Sequence, residues 1–131
     1  MHLSSITLRH GWTLMGWGLI IAVIIASLVQ ISSTMVAAIP DKIEHAFAYT
    51  TLMLWFAQVR PKQVWKRLAL GFFTLGVILE LLQGLTEYRC FSYGDIGANA
   101  LGVLAGWGLS MAGLSTLLIR LEKRLAMATH Q

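Results

Sequence analysis

Long apolar runs separated by short polar clusters divide the chain into four segments of helical length. The first runs from about Trp12 to Val29, inside a stretch from His10 to Pro40 that holds no Asp, Glu, Lys or Arg. The second runs from about Ile43 to Val59, the third from about Leu68 to Leu85 and the fourth from about Ile96 to Ile119. Each approaches the roughly 20 apolar residues that an α-helix needs to cross a bilayer. None alternates in the way that barrel strands of about ten residues do. The second segment carries the weakest hydropathy signal, because Glu44 and His45 fall in its first turn; its assignment rests on topology as well. The pattern predicts an all-α, four-helix transmembrane bundle, a single domain over residues 1–131 with no room for a soluble one.

Composition agrees. The chain is 56% hydrophobic and 12% charged, with a mean hydropathy of +0.68, outside the usual soluble range. The net charge of +4 would suit nucleic acid, but its distribution excludes that reading. Arg9 precedes the first segment; Arg60, Lys62, Lys66 and Arg67 join the second to the third; Arg120, Lys123 and Arg124 follow the fourth. The other two connections hold only Lys42 and Arg89. The positive-inside tendency puts the basic segments and both termini in the cytoplasm, as expected for a multi-pass protein of the cytoplasmic (inner) membrane. The lipid bilayer is the first partner implied, and the basic residues would attract its anionic lipids.

Val36-Ala37-Ala38 resembles a weak signal-peptidase site. The apolar core before it, about 18 residues, exceeds the usual 7–15 of a signal peptide, so an uncleaved anchor is expected. The lone Cys90 excludes an intrachain disulfide and reads as a small residue tucked against the bundle. The tail from Ala126 to Gln131 is expected to fray.

A helix rises 1.5 Å per residue, which converts sequence position into depth. With Asp41 at the outer interface, His45 lies about 6 Å inward and Tyr49 about 12 Å, near one helix face. Glu80 lies roughly 7 Å below the end of the third segment, with Gln83 one turn above it on the same face. Asp95 stands at the mouth of the fourth segment and Asn99 about 6 Å inward. Three helices thus bring polar groups to one level. An ionisable group at bilayer depth is costly and faces the bundle interior. Glu80 is therefore expected to find a partner such as Lys42, Arg89, His45 or Asn99, or to be protonated.

Structural roles compete for these residues. Pro40-Asp41-x-x-Glu44 reads as a helix start with Asp41 as N-cap, and Ser92-x-x-Asp95 as a second capping box. Lys42 can snorkel to the interface, and Asn99 can bond between helices. Ala98, Gly102, Gly106 and Ser110 form a small-xxx-small ridge that admits a close helix, from this chain or from a second copy in a homo-oligomer. Trp12, Trp17, Trp55, Trp65, Phe91 and Tyr93 read as an interfacial belt. No phosphate-binding loop, paired-cysteine metal motif or His-x-x-x-His is present. His45 with Asp41, Glu80 or Asp95 has donors for one metal ion, but the spacing does not demand it, and neither metal nor cofactor is expected.

The order Asp41-Lys42-x-x-His45-x-x-x-Tyr49, Glu80-x-x-Gln83 and Arg89-x-x-Ser92-x-x-Asp95-x-x-x-Asn99-x-x-Gly102-x-x-x-Gly106 resembles the VanZ-like family of small membrane proteins, over half of the chain. Family members often carry a proline shortly before the arginine matching Arg89; here Gly84-Leu85-Thr86-Glu87-Tyr88 precedes it. The resemblance implies a multi-pass membrane protein and a link, in some members, to glycopeptide resistance. It supplies no reaction.

Three functions fit the residues. The site could bind an amphipathic or lipid-linked envelope molecule at the outer face. It could act on one by hydrolysis or group transfer, with Glu80, or His45 oriented by Asp41, as general acid or base. In both cases Lys42 and Arg89 would hold an anionic group, with Tyr49, Gln83, Ser92, Asp95 and Asn99 orienting the ligand. Alternatively, the polar residues only stabilise the bundle, and function lies at a partner surface.

Overall fold

Prolines and glycines set the helix boundaries. Pro40, at φ −57° and ψ 132°, precedes α2 (Asp41–Val59), and its carbonyl accepts from the Ile43 and Glu44 amides at 2.9 and 3.3 Å. Pro40, not Asp41, is therefore the N-cap, and no side chain caps this helix. Asp41 is its first residue, where with Glu44 it complements the helix dipole. Pro61 forces Arg60 into extended backbone and ends α2. After a single turn at Lys62–Val64, α3 (Trp65–Gln83) runs back. The computed structural model describes residues 2–29 and 40–128; the remaining helices are α1 (His2–Leu28), α4 (Tyr93–Met111) and α5 (Leu117–Ala128). The fold is all-helical, with no strand among the described residues. The signal-peptidase-like Val36-Ala37-Ala38 lies outside them.

The fourth apolar segment is not one rod. Gly113 adopts φ +107°, a left-handed conformation open to glycine, and the chain beyond it turns 66° away from α4. The buried Gln58 holds this break. Its Nε2 donates to the Leu114 carbonyl at 2.6 Å, and its Oε1 accepts from the Leu118 amide at 3.2 Å. α5 then keeps its helix to Ala128, past the expected start of fraying at Ala126.

α2 is the central helix and packs most extensively on α4. The core joins Tyr49, Leu52, Met53 and Phe56 of α2 to Phe72 of α3 and Val103 of α4. The small-residue ridge of α4 serves this contact: a Cβ on Gly102 would overlap the Ala46 carbonyl, and one on Gly106 would come within 2.6 Å of the Thr50 carbonyl. The Gly102/Gly106 face is thus filled by the chain's own α2, and a second copy would have to use another surface. Three expected belt residues also turn inward. Trp65 is buried, while Trp12 stacks on Trp55 at 4.2 Å and its carbonyl accepts from Trp55 Nε1 at 2.8 Å.

The outward faces are apolar. Leu14, Met15, Ile21, Phe47, Leu70, Ile78, Leu101 and Leu104 are all exposed. By length and composition, Leu8–Leu28 of α1 is the one described helix suited to crossing a membrane, or one of two if α4 and the bent segment after it count together. α2 and α3 fall short of that measure; α2 carries Asp41, Lys42 and Glu44 in its first turn, and α3 carries Lys66, Arg67 and Glu80. Charge separates along the helix axes. One end gathers the start of α2, the end of α3 and the start of α4. The opposite end carries Arg60, Lys62, Lys66 and Arg67, and there Arg9 of α1 pairs with Glu122 of α5 at 3.1 Å.

Candidate functional site

At the first of these ends, α2 and α4 bring five polar side chains together. Lys42 Nζ lies 3.3 Å from Asp95 Oδ1. His45 Nδ1 donates to Asn99 Oδ1 at 2.9 Å. A carbonyl oxygen only accepts, so this bond fixes the hydrogen on Nδ1 and orients the ring. His45 Nε2 then faces Asp41 Oδ1 and Asp95 Oδ2, each at 3.9 Å. Arg89, from the α3–α4 connection, donates to Asp41 Oδ1. Burial pushes the Asp41 carboxyl up, but the hydrogen bond and charge of Arg89, joined by smaller contributions from His45 and Asp95, together hold the group below its ordinary value of 3.8. In return, the bond to Asp41 raises the Arg89 guanidinium above its usual value.

Glu80 does point into the bundle, with 1% of its surface exposed, but none of the expected side-chain partners bonds to it. Its Oε1 accepts from the Ser92 amide at 2.6 Å, and its Oε2 is buried without a partner among the described residues. The α4 start explains this bond. Ser92 is the N-cap and its Oγ accepts from the Asp95 amide at 3.2 Å, so half of the anticipated capping box is present. In a complete box the Asp95 carboxylate would return to the Ser92 amide. Glu80 of α3 takes that place, which leaves Asp95 free to meet Lys42 and His45.

Five of the candidate residues line a cavity of about 90 Å³: Asp41, His45, Tyr49, Gln83 and Arg89. The other five (Lys42, Glu80, Ser92, Asp95 and Asn99) are not among its lining residues and make the contacts just described. Gln83 also ties α3 to α1. Its Nε2 donates to the Ser27 carbonyl at 2.7 Å, and Tyr88 Oη donates to the Leu28 carbonyl. These bonds satisfy carbonyls in the last turn of α1, which have no partner within their own helix. In sequence α1 reads as a plain anchor, so the place of Val23, Ala26 and Ser27 in the cavity wall is unforeseen, as is that of Glu44. Ser27, a polar residue near the end of an apolar run, was the available signal. Cys90 is exposed, not tucked against the bundle.

The expected anion clamp of Lys42 and Arg89 is already engaged. Each cation is paired with a carboxylate of the chain, and the cavity wall carries two carboxylates, Asp41 and Glu44, against one guanidinium. Asp41, His45 and Asp95 also place one potential metal-ligand atom each within 4.8 Å of one another. A divalent ion there would have to compete with Arg89 and Lys42 for the same carboxylates. No family model, curated protein or solved structure matches this chain.

Proposed function

We propose that the chain is a small multi-pass membrane protein of VanZ-like type. Its polar site at the outer face of the cytoplasmic membrane binds the head of an amphipathic or lipid-linked envelope molecule. The observation that carries this reading is the polar cavity at one end of a bundle whose outward faces are apolar. An exposed apolar surface of this extent is unfavourable in water and favourable in lipid, and the basic residues at the opposite end support an orientation with both termini inside. α2 and α3, too polar to span alone by composition, are supported here by partners within the bundle: Glu80 bonds to Ser92, and Lys42 pairs with Asp95. The charge balance of the cavity wall favours a zwitterionic or amine-bearing head over a bare phosphate. A link to glycopeptide resistance belongs to the same proposal, through an envelope ligand of this kind.

A catalytic reading has one observation of its own. His45, oriented by Asn99 and facing two carboxylates with Nε2, has the arrangement of a general acid or base.

The test is a lipid and muropeptide comparison of a deletion strain complemented with wild type, His45→Ala or Glu80→Gln at matched membrane abundance. Binding or catalysis predicts that wild type restores the lipid-linked profile and His45→Ala does not. Restoration by both variants would leave the polar residues a structural role alone and overturn this function.

A further inference from the structure

A second cavity lies away from the polar site, at the basic end. It has a volume of about 510 Å³ and is walled by Trp17 and Ile20 of α1, Phe56 of α2, and Leu68, Phe72 and Leu75 of α3, with Arg60 and Arg67 also on its lining. From Arg67 to Leu75 the wall extends about 12 Å along α3 at the helix rise. Neither guanidinium has an ion-pair or hydrogen-bond partner among the described residues, unlike Arg9 and Arg89 of the same chain. Gly71 also lines the groove, and a Cβ built on it meets nothing within 4 Å. The groove floor is therefore open where a side chain would otherwise close it.

We propose that this groove binds one anionic phospholipid of the leaflet at the basic end. Its acyl chain lies along Trp17, Phe72 and Leu75 over Gly71, and its phosphate sits on Arg60 and Arg67. Charge complementarity selects the occupant. An apolar trough ending in two unpaired guanidiniums, beside Lys62 and Lys66, matches a molecule with an apolar tail and a negative head, and basic pockets between membrane helices on the cytoplasmic side take such head groups. Arg suits the phosphate because its planar fork can donate two parallel hydrogen bonds. The inference rests on the membrane reading above but not on the polar site, which occupies the other end.

The test uses the full chain reconstituted in phosphatidylcholine vesicles containing brominated phosphatidylglycerol or brominated phosphatidylcholine. Bromine quenches tryptophan at short range, and the difference between wild type and Trp17→Phe isolates the groove tryptophan, which is 54% exposed. Trp17 should reach half-quenching at roughly thirtyfold lower mole fraction of the anionic lipid, the equivalent of about 2 kcal/mol from the two arginines together at about 1.4 kcal/mol per tenfold. The preference should vanish in Arg60→Gln/Arg67→Gln and in Gly71→Leu, which alter exposed positions with room around them. Equal quenching by both lipids in wild type, or a preference that survives both sets of substitutions, would overturn the site while leaving the membrane reading intact. A chain that does not enter the vesicles would overturn both.

Discussion

The Ser92 amide shows how a local rule yields to a tertiary one. From Ser92 and Asp95 alone, a reciprocal capping box follows, and its first half forms. The return bond comes instead from Glu80, twelve residues earlier on another helix. No spacing rule reaches that far, because the bond depends on how α3 and α4 cross. Asp41 is a similar case: its position suggested a cap, but the long Arg89 side chain draws it into an ion pair. The pair has a pH signature. Asp41 is held below 3.8 in the folded chain, so at acid pH the unfolded chain takes up the proton first. The pair's stabilisation is complete at neutral pH and is lost as pH falls through the lowered value. In thermal unfolding, wild type should lose stability between about pH 5 and pH 3 more steeply than Arg89→Gln, whose Asp41 lacks this partner. Parallel slopes would remove Arg89 as the cause.

At the scale of elements, hydropathy located α1, α2 and α3 to within a turn at most boundaries, apart from the early start of α1, since burial of apolar side chains is a property of runs. It failed at the fourth segment. Gly113 looks no different in sequence from Gly108 or Gly97, and only its φ of +107° marks it as the break. The glycines separate again by packing. Gly102 meets the α2 backbone, while Gly97 and Gly108 have open space beside them. Gly102→Ala should therefore destabilise the bundle by about 1–3 kcal/mol through overpacking. Gly97→Ala, at an exposed helical position, should be neutral or stabilising by up to about 1 kcal/mol. Thermal melts of the two variants in detergent check the contrast, and equal losses would mean that the close α2–α4 contact does not set stability.

At the scale of the whole molecule, the polar and basic ends define an axis, and the exposed Cys90 stands at the polar end. It is the single cysteine of the chain and so a ready reporter of orientation. In intact cells a membrane-impermeant maleimide should label Cys90 at the outer face, with no labelling of Cys90→Ser. Labelling that appears only after lysis would reverse the orientation and move the polar site to the cytoplasm.

Sequence alone determined that the chain is helical, that its polar groups gather at one level, and that its basic residues gather at the other end. Those properties follow from residue type and helical rise, which are local. Tertiary structure decided which groups touch: Glu80 with the Ser92 amide, Lys42 with Asp95, Arg89 with Asp41, and Gln83 with the last turn of α1. It also divided the candidates into a cavity wall and the residues outside it, and opened a groove between α1 and α3 that no run of residues announces. Helix rotation and crossing set these contacts, and both arise from the packing of whole faces against one another.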